Sequence, residues 1–283
     1  MKNKVLVTGS AGFIGSKLVP ALINKGHEII ELDLKNGFDL TNWESVKQIR
    51  KFDVIIHLAA RVFVPDSYKF PREFYDNNIV STLNMLELCK RTNSRMIYIS
   101  SYVYGKPQYF PIDEKHPVSA LNPYAQSKII SEQLCKGYNR DFGVPVIIFR
   151  PFNIYGLGQN ENFLIPLILK QIHEQGEVHL KDSRPKRDFI HVDDVVKAYC
   201  KAVEYNKTDF DIFNLSTGVS YSVKEIAEIL VKNSGEEVKI EFTEEQRENE
   251  ILNTVADIKK VKDRMDWQPI ISIEEGLSKL LSS

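Results

Sequence analysis

The chain has 283 residues, 43% of them hydrophobic and 27% charged, with a formal net charge of −1. This is the balance of an ordinary globular protein, long enough for one large domain or for a large and a small one on a shared core. It offers no general field for nucleic acid or an anionic membrane, and no run approaches the roughly 18 apolar residues of a membrane span, so neither is an expected partner.

The first residues, Met1-Lys2-Asn3-Lys4, run straight into an apolar stretch, Lys4–Thr8, which reads as a buried strand rather than a targeting signal. A glycine loop follows, Thr8-Gly9-Ser10-Ala11-Gly12-Phe13-Ile14-Gly15, and opens a helical pattern. In that context Gly9 permits a tight turn, Gly12 lets a diphosphate approach the backbone, and Gly15 lets helix and strand pack closely. The helix N-terminus presents free N–H groups to the phosphates. Pro20 inside the same helix removes a backbone hydrogen bond and predicts a bend.

The next run, Glu28–Asp33, ends on an acidic residue. Asp33 is placed to accept hydrogen bonds from an adenosine ribose and to repel a 2′-phosphate, which favours NAD over NADP. Lys35 keeps NADP as the lesser option, and Asp39-Leu40 is placed to touch the adenine edge. The strand Val54–Ala59 closes on small residues, Leu58-Ala59-Ala60, as a cofactor crossing the strand tips requires. A helix over Asn78–Arg91 leads to the strand Met96–Ser100, which presents the Ser100 hydroxyl at its tip.

The helix Pro123–Phe142 carries Tyr124 and Lys128 four residues apart, hence on one face. A tyrosine with its ordinary pKa of roughly 10 is a poor proton carrier at neutral pH. A nearby ammonium and an oxidised nicotinamide ring both favour the phenolate. Taken alone the spacing is common on solvated helices; its place after the glycine loop and the strand-end serine gives it meaning. The strand Val146–Arg150 ends the regular alternation.

Beyond it Pro151, Gly156, Gly158 and Pro166 punctuate the chain, with later apolar runs at Val178–Leu180 and Ile212–Leu215 and a closing helix at Ser272–Leu281. The expected architecture is α/β: a doubly wound parallel sheet of the Rossmann type with a smaller mixed α+β C-terminal substrate region. Residues 1–150 are expected to form the NAD-binding domain, with later segments interleaving, and residues 151–283 mainly the substrate region. Cys89, Cys135 and Cys200 read as small buried hydrophobes, so neither a disulfide nor a metal site is expected and the cytoplasm is the expected compartment.

Together these motifs resemble the extended short-chain dehydrogenase/reductase family, the NAD(P)-dependent epimerases, dehydratases and ketoreductases of nucleotide sugars. The likeness rests on the glycine loop, His57-Leu58-Ala59-Ala60, Tyr75-Asp76-Asn77-Asn78, Ser100-Ser101-Tyr102-Val103-Tyr104-Gly105 and Tyr124–Lys128. It continues through Arg150–Gly156, Arg187–Asp194 and Trp267-Gln268-Pro269. The resemblance implies a catalytic set of Ser100, Tyr124 and Lys128, a cofactor contact from Asn77, and Asn153, Arg187 and Arg247 as ligands of the substrate's diphosphate side. Asn249-Glu250 stands where the family usually has Gly-Asp after the last of these arginines. The family's helix pair matching Asn78–Arg91 and Tyr124–Phe142 implies a homodimer.

Two departures bear on the reaction. Ser101 and Tyr102 occupy the places of the Asp-Glu pair with which sugar 4,6-dehydratases eliminate water. Only a short turn joins Asp33 to Asp39, as in 4-ketoreductases of 4-keto-6-deoxy sugars. The sequence therefore favours a 4-ketoreductase, with a 4-epimerase as the alternative and a non-catalytic NAD-binding sensor as a distant third.

Overall fold

The computed structural model describes residues 2–207, 209–246 and 250–281. The chain begins with β1 (Lys4–Thr8), α1 (Gly15–Asn24) and β2 (Glu28–Leu32). A 3-10 turn at Leu34–Asn36, α2 (Trp43–Val46), β3 (Val54–His57), α3 (Val64–Lys69) and α4 (Pro71–Tyr75) follow. A π-helical turn at Asp76–Val80 runs into α5 (Ser81–Thr92), and then come β4 (Arg95–Ile99), α6 (Pro123–Phe142) and β5 (Val146–Pro151). The second half holds β6 (Asn153–Tyr155), α7 (Leu164–Gln175), β7 (Glu177–Leu180), β8 (Lys186–His191) and α8 (Val192–Glu204). It closes with β9 (Phe210–Leu215), β10 (Ser220–Ser222), α9 (Val223–Ser234), β11 (Lys239–Phe242), α10 (Lys259–Met265) and α11 (Ile273–Leu281).

The main sheet has six strands in the order β2-β1-β3-β4-β5-β9, all parallel. Alternate residues of β1 serve opposite faces: Val5 and Val7 pack with Leu18 of α1 and Val196 of α8, and Leu6 packs with Met85 and Leu86 of α5. With both faces covered, each strand reads as a continuous apolar run. β2 and β3 lie on opposite sides of β1, so a crevice opens at the strand C-termini there, the usual ligand site of such sheets. The segment between β2 and β3 holds only the 3-10 turn and one-turn α2, which leaves β2 as the sheet edge.

Residues beyond 150 serve two layers. β9 completes the main sheet and α8 covers one of its faces, whereas the three-stranded sheet β10-β8-β6 and the pair β11-β7 stand apart. Ile168, Val178, Ile226 and Leu277 form a separate core among these smaller elements. Several boundaries differ from the sequence reading. The run read at Val178–Leu180 begins one residue earlier, at Glu177, and pairs with β11. β2 stops at Leu32, so that Asp33 caps the 3-10 turn, and β3 stops at His57, leaving Leu58, Ala59 and Ala60 in the loop. α1 runs on past Pro20, which lies on its exposed face; Ser16, whose carbonyl loses a donor, is exposed as well.

The C-terminal segment is fastened by Asp194 in the first turn of α8. Its fully buried carboxylate accepts the backbone N–H groups of Ile270 at 3.0 Å and Ile271 at 2.9 Å. The Trp267 indole donates to the Asp194 carbonyl at 3.2 Å. The chain then enters α11, where Ser272 Oγ accepts the Glu275 N–H at 3.1 Å. Gly276 is required there, because a Cβ would stand 2.0 Å from the Tyr155 hydroxyl. Asp194→Ala strands two N–H groups and is expected to cost roughly 2–4 kcal/mol in urea unfolding at neutral pH. A loss under about 0.5 kcal/mol would show that water replaces the carboxylate freely.

Candidate functional site

The glycine loop sits at the sheet's crevice, and its glycines are required by contact. Gly9 has φ +69°, and a Cβ there would lie 2.8 Å from the Ala59 nitrogen. A Cβ on Gly15 would stand 2.2 Å from the Gly9 carbonyl and 2.6 Å from that of Ser10. The third glycine therefore fits the helix to the loop's own carbonyls, a correction to the helix-against-strand role read from sequence. Gly12 is less confined, 3.2 Å from the Gly9 carbonyl. Phe13 and Ile14 turn toward the main cavity, as does Leu58, while Ala59 and Ala60 are half-buried beyond the tip of β3.

Asp33 ties this loop to β2. Its carboxylate is 8% exposed and accepts the Ala11 N–H at 3.0 Å and the Lys35 N–H at 2.8 Å. Each oxygen keeps a lone pair for a ribose hydroxyl. Lys35 Nζ folds back to donate to the Ala11 carbonyl at 3.2 Å. Backbone N–H donors in the loop and an accepting carboxylate at the end of β2 are what a dinucleotide needs, and NAD fits them. Asp39 is exposed, with its carboxylate turned onto Thr41 at 2.8 Å. Leu40 has its side chain buried in the core, and its carbonyl accepts Asn84 Nδ2 at 2.8 Å. Asn77 is half-buried on the π-helical turn. Its neighbour Asn78, which sequence reasoning passed over, bonds both backbone groups of Arg61 and reaches Ser127 of α6 at 2.9 Å.

His57 lies wholly buried beneath the crevice. The Ala59 N–H donates to Thr8 Oγ1 at 3.2 Å, and the Thr8 hydroxyl lies 2.7 Å from His57 Nδ1. The other ring nitrogen, Nε2, faces Ser81 Oγ at 3.4 Å. Burial, then the charge of Lys128, pull the imidazole pKa down to about 3, so the ring is neutral at physiological pH.

One wall of the cavity is built by α6 and the tip of β4. Asn122 Oδ1 caps the helix by accepting the Ala125 N–H at 2.8 Å, and Pro123 occupies the first turn. This start places Tyr124 on the cavity and Lys128 beneath it. Lys128 is 4% exposed, donates to the Ile99 carbonyl at 2.8 Å and lies 5.1 Å from the Tyr98 ring. Burial pulls its pKa down to about 8, with the charge of Glu132 opposing. Ser100 Oγ is buried at the same wall without a hydrogen-bond partner, a donor left for a ligand. Burial pushes the Tyr124 phenol up to about 12, with a hydrogen bond to Ser101 opposing. Burial is the largest cause of this shift; the lowering expected from the Lys128 ammonium together with an oxidised nicotinamide ring concerns the cofactor-bound site.

The cavity has a volume of about 450 Å³. Its far side is largely apolar, with Tyr102 stacked on Phe152 at 5.2 Å and Phe163 and Leu164 nearby. Asn153 reaches the cavity while its amide donates to the Asp188 carbonyl at 3.1 Å. Arg187 is not on the cavity wall; it donates to the carbonyl of Ile251, which is, at 2.6 Å, and pairs with Glu250. Arg247 lies outside the described residues. Among the described residues no cluster of His, Cys, Asp or Glu could hold a metal ion. Sequence reasoning missed Tyr102 as a wall residue and Glu132 entirely; the one signal for Glu132 was its place eight residues after Tyr124, on the same helix stripe.

A family model described as the NAD dependent epimerase/dehydratase family matches residues 5–216. The UDP-glucose 4-epimerase of Bacillus subtilis is 33% identical over 318 residues, covering 96% of this chain and 94% of its own. A Thermotoga maritima UDP-glucose 4-epimerase solved with UDP-glucose superposes with a TM-score of 0.92 at 26% identity, covering 99% and 97% of the two chains. A UDP-N-acetylglucosamine 4-epimerase from Methanobrevibacter ruminantium gives a TM-score of 0.92 at 28% identity, covering 100% and 98%.

Gly15→Ala cannot be accommodated without moving the loop backbone, and is expected to weaken NAD binding by ~10-fold or more in a fluorescence titration. Gly137→Ala, where a Cβ meets nothing within 4 Å, should leave affinity unchanged. Equal affinity in wild type and Gly15→Ala would show that the cofactor is not cradled there.

Proposed function

The chain belongs to the NAD-dependent epimerase/dehydratase family, and we propose that within it this protein is a nucleotide-sugar 4-epimerase that retains its NAD between turnovers. The sequence reading favoured a 4-ketoreductase because the link from Asp33 to Asp39 is short. In the structure that link only trims the sheet edge beyond β2 and leaves the catalytic wall untouched. The relatives that match over nearly the whole chain include UDP-glucose 4-epimerases, which supports the epimerase instead.

The observation that carries the reading is the character of the cavity. Ser100, Tyr124 and Lys128 face a chamber in which Lys128 is the only charged side chain among the described lining residues. An aromatic wall holds a sugar ring by contact and not by fixed bonds, so a 4-keto intermediate is free to present either face. Neither Ser101 nor Tyr102 offers a carboxylate for removing water, which speaks against a dehydratase.

Bound NAD supplies a hydride acceptor that also returns the hydride. The protein does the rest. The glycine loop and the N-terminus of α1 hold the cofactor diphosphate, and Asp33 holds the adenosine ribose, with NADP the lesser option. Tyr124 Oη takes the proton of the C4 hydroxyl as that carbon is oxidised and gives it back on reduction, and Ser100 Oγ donates a hydrogen bond to the same oxygen. Asn153, Arg187 and Arg247 serve the substrate diphosphate, with the phosphate displacing Glu250 from the Arg187 fork. Residues 151–283 thus act mainly on the nucleotide sugar and residues 1–150 on the cofactor. No helix among the described residues is long and apolar enough to cross a membrane; with the three cysteines free and buried, the proposed compartment is the cytoplasm. The outer faces of α5 and α6 are assigned to a homodimer contact, which light scattering tests: a mass near the 32.5 kDa of one chain would remove it.

Purified protein should interconvert UDP-glucose and UDP-galactose, or their N-acetylated counterparts, with no cofactor added. Tyr124→Phe should keep the fold and NAD binding and lower kcat by about 10²–10⁴. Ser100→Ala should be milder, and Lys128→Met should damage both binding and turnover. Activity confined to a 4-keto-6-deoxy sugar, with added NADH consumed mole for mole, would restore the ketoreductase.

A further inference from the structure

Tyr124, Lys128 and Glu132 recur every four residues and form one stripe along α6. Each of the lower two is tied to a different strand of the sheet. Lys128 donates to Ile99 at the end of β4 at 2.8 Å. Glu132 takes a two-pronged bond from Arg150 on β5, with Nε to Oε1 at 2.9 Å and Nη2 to Oε2 at 2.5 Å. The Glu132 and Arg150 side chains are only 8% and 5% exposed. The remaining arginine prong donates to the Tyr104 hydroxyl at 3.1 Å, which donates to Asn214 Oδ1 at 2.5 Å, so no arm of the network is idle.

A buried ion pair is weak evidence for stability, because well-packed apolar groups of similar volume often serve as well or better. A pair placed at this site calls for another reason, and its geometry supplies one. We propose that Glu132 and Arg150 form a positioning pair: the fork fixes the rotation of α6 against β5, setting where Tyr124 meets the substrate, and it holds a negative charge one turn from Lys128. Neither residue touches substrate or cofactor in this account. The groups facing Lys128 are His57 from β3, Tyr98 from β4, and Tyr124, Glu132 and Cys135 from α6 itself. His57 is neutral and Tyr98 and Cys135 stay protonated, so among these described neighbours Glu132 is the carboxylate that favours the charged lysine against burial. Arg150 and Tyr104 face Glu132 in turn.

The proposal rests on the catalytic roles given above to Tyr124 and Lys128, and its test includes a readout that needs no turnover. Glu132→Gln leaves Arg150 buried and unpaired and should lower the melting temperature. The double variant Glu132→Gln/Arg150→Met removes the orphaned charge and should regain most of that loss. If the pair positions and charges the stripe, the double variant keeps a kcat reduced by about tenfold or more, with KM changed little. The alkaline limb of its pH profile, and the Lys128 Cε titration followed by carbon NMR and assigned with Lys128→Met, should both move down by about one pH unit. A double variant with wild-type kcat and an unmoved Lys128 titration overturns the proposal and leaves the pair a purely structural role. Conversely, a wild-type protein that turns over no nucleotide sugar while the titration still moves would refute the epimerase reading and not this one.

Discussion

An ammonium taken out of water must find an acceptor, and in this protein that requirement organises the candidate catalytic face. Lys128 meets it with the Ile99 carbonyl, the last residue of β4. Because the lysine sits in the second turn of α6, this bond draws the start of the helix over the strand tips. Tyr124 and Ser100 are thereby brought to one wall of one cavity. The capping of α6 by Asn122, the tie from Asn78 to Ser127 and the fork between Glu132 and Arg150 all hold the same helix in the same place. The main sheet supplies the strand tips, and its order opens the crevice beside them.

The other half of the site comes from the glycine loop and the later chain. Gly9 lies so close to the Ala59 backbone that the loop and the tip of β3 form one surface. Asp33 fastens the loop's other side. On the substrate side the chain is economical with charge: the described cavity wall carries aromatic and aliphatic groups, and the arginine suited to a diphosphate stands beside it, already paired. This division, charge at the ends and contact in the middle, suits the proposed reaction, in which a sugar ring would have to turn while its nucleotide stays put.

Much of this was legible in the sequence where local chemistry sets the structure. The helix Pro123–Phe142 was read to the residue, because Asn122-Pro123 caps one end and Gly143, at φ +68°, closes the other. The strand β1 and its glycine loop were legible for the same reason, an apolar run followed by glycines that a turn demands. What was not legible depends on partners far away in the chain. The strand at Val178–Leu180 could be seen, but its pairing with Lys239–Phe242 could not. Leu40 reads as a loop residue until Asn84 and the core claim it. The capping box of Ser222 and Glu225 was readable from its spacing and was overlooked. The degree of burial that pushes the Tyr124 phenol up was not legible either, because only the fold reveals it. The choice between reductase and epimerase rested on the length of a sheet-edge link, a feature with no contact to the reacting carbon.

The central claim is that hydride leaves sugar C4 and returns to the same carbon without leaving the protein. It is tested most directly by incubating the protein as purified with UDP-glucose deuterated at C4 and examining the UDP-galactose formed. An epimerase that retains its cofactor gives product with the deuterium still at C4, at full enrichment and with no NADH in solution. Loss of the label to solvent or to a free cofactor, or the absence of any C4 inversion, would contradict the account.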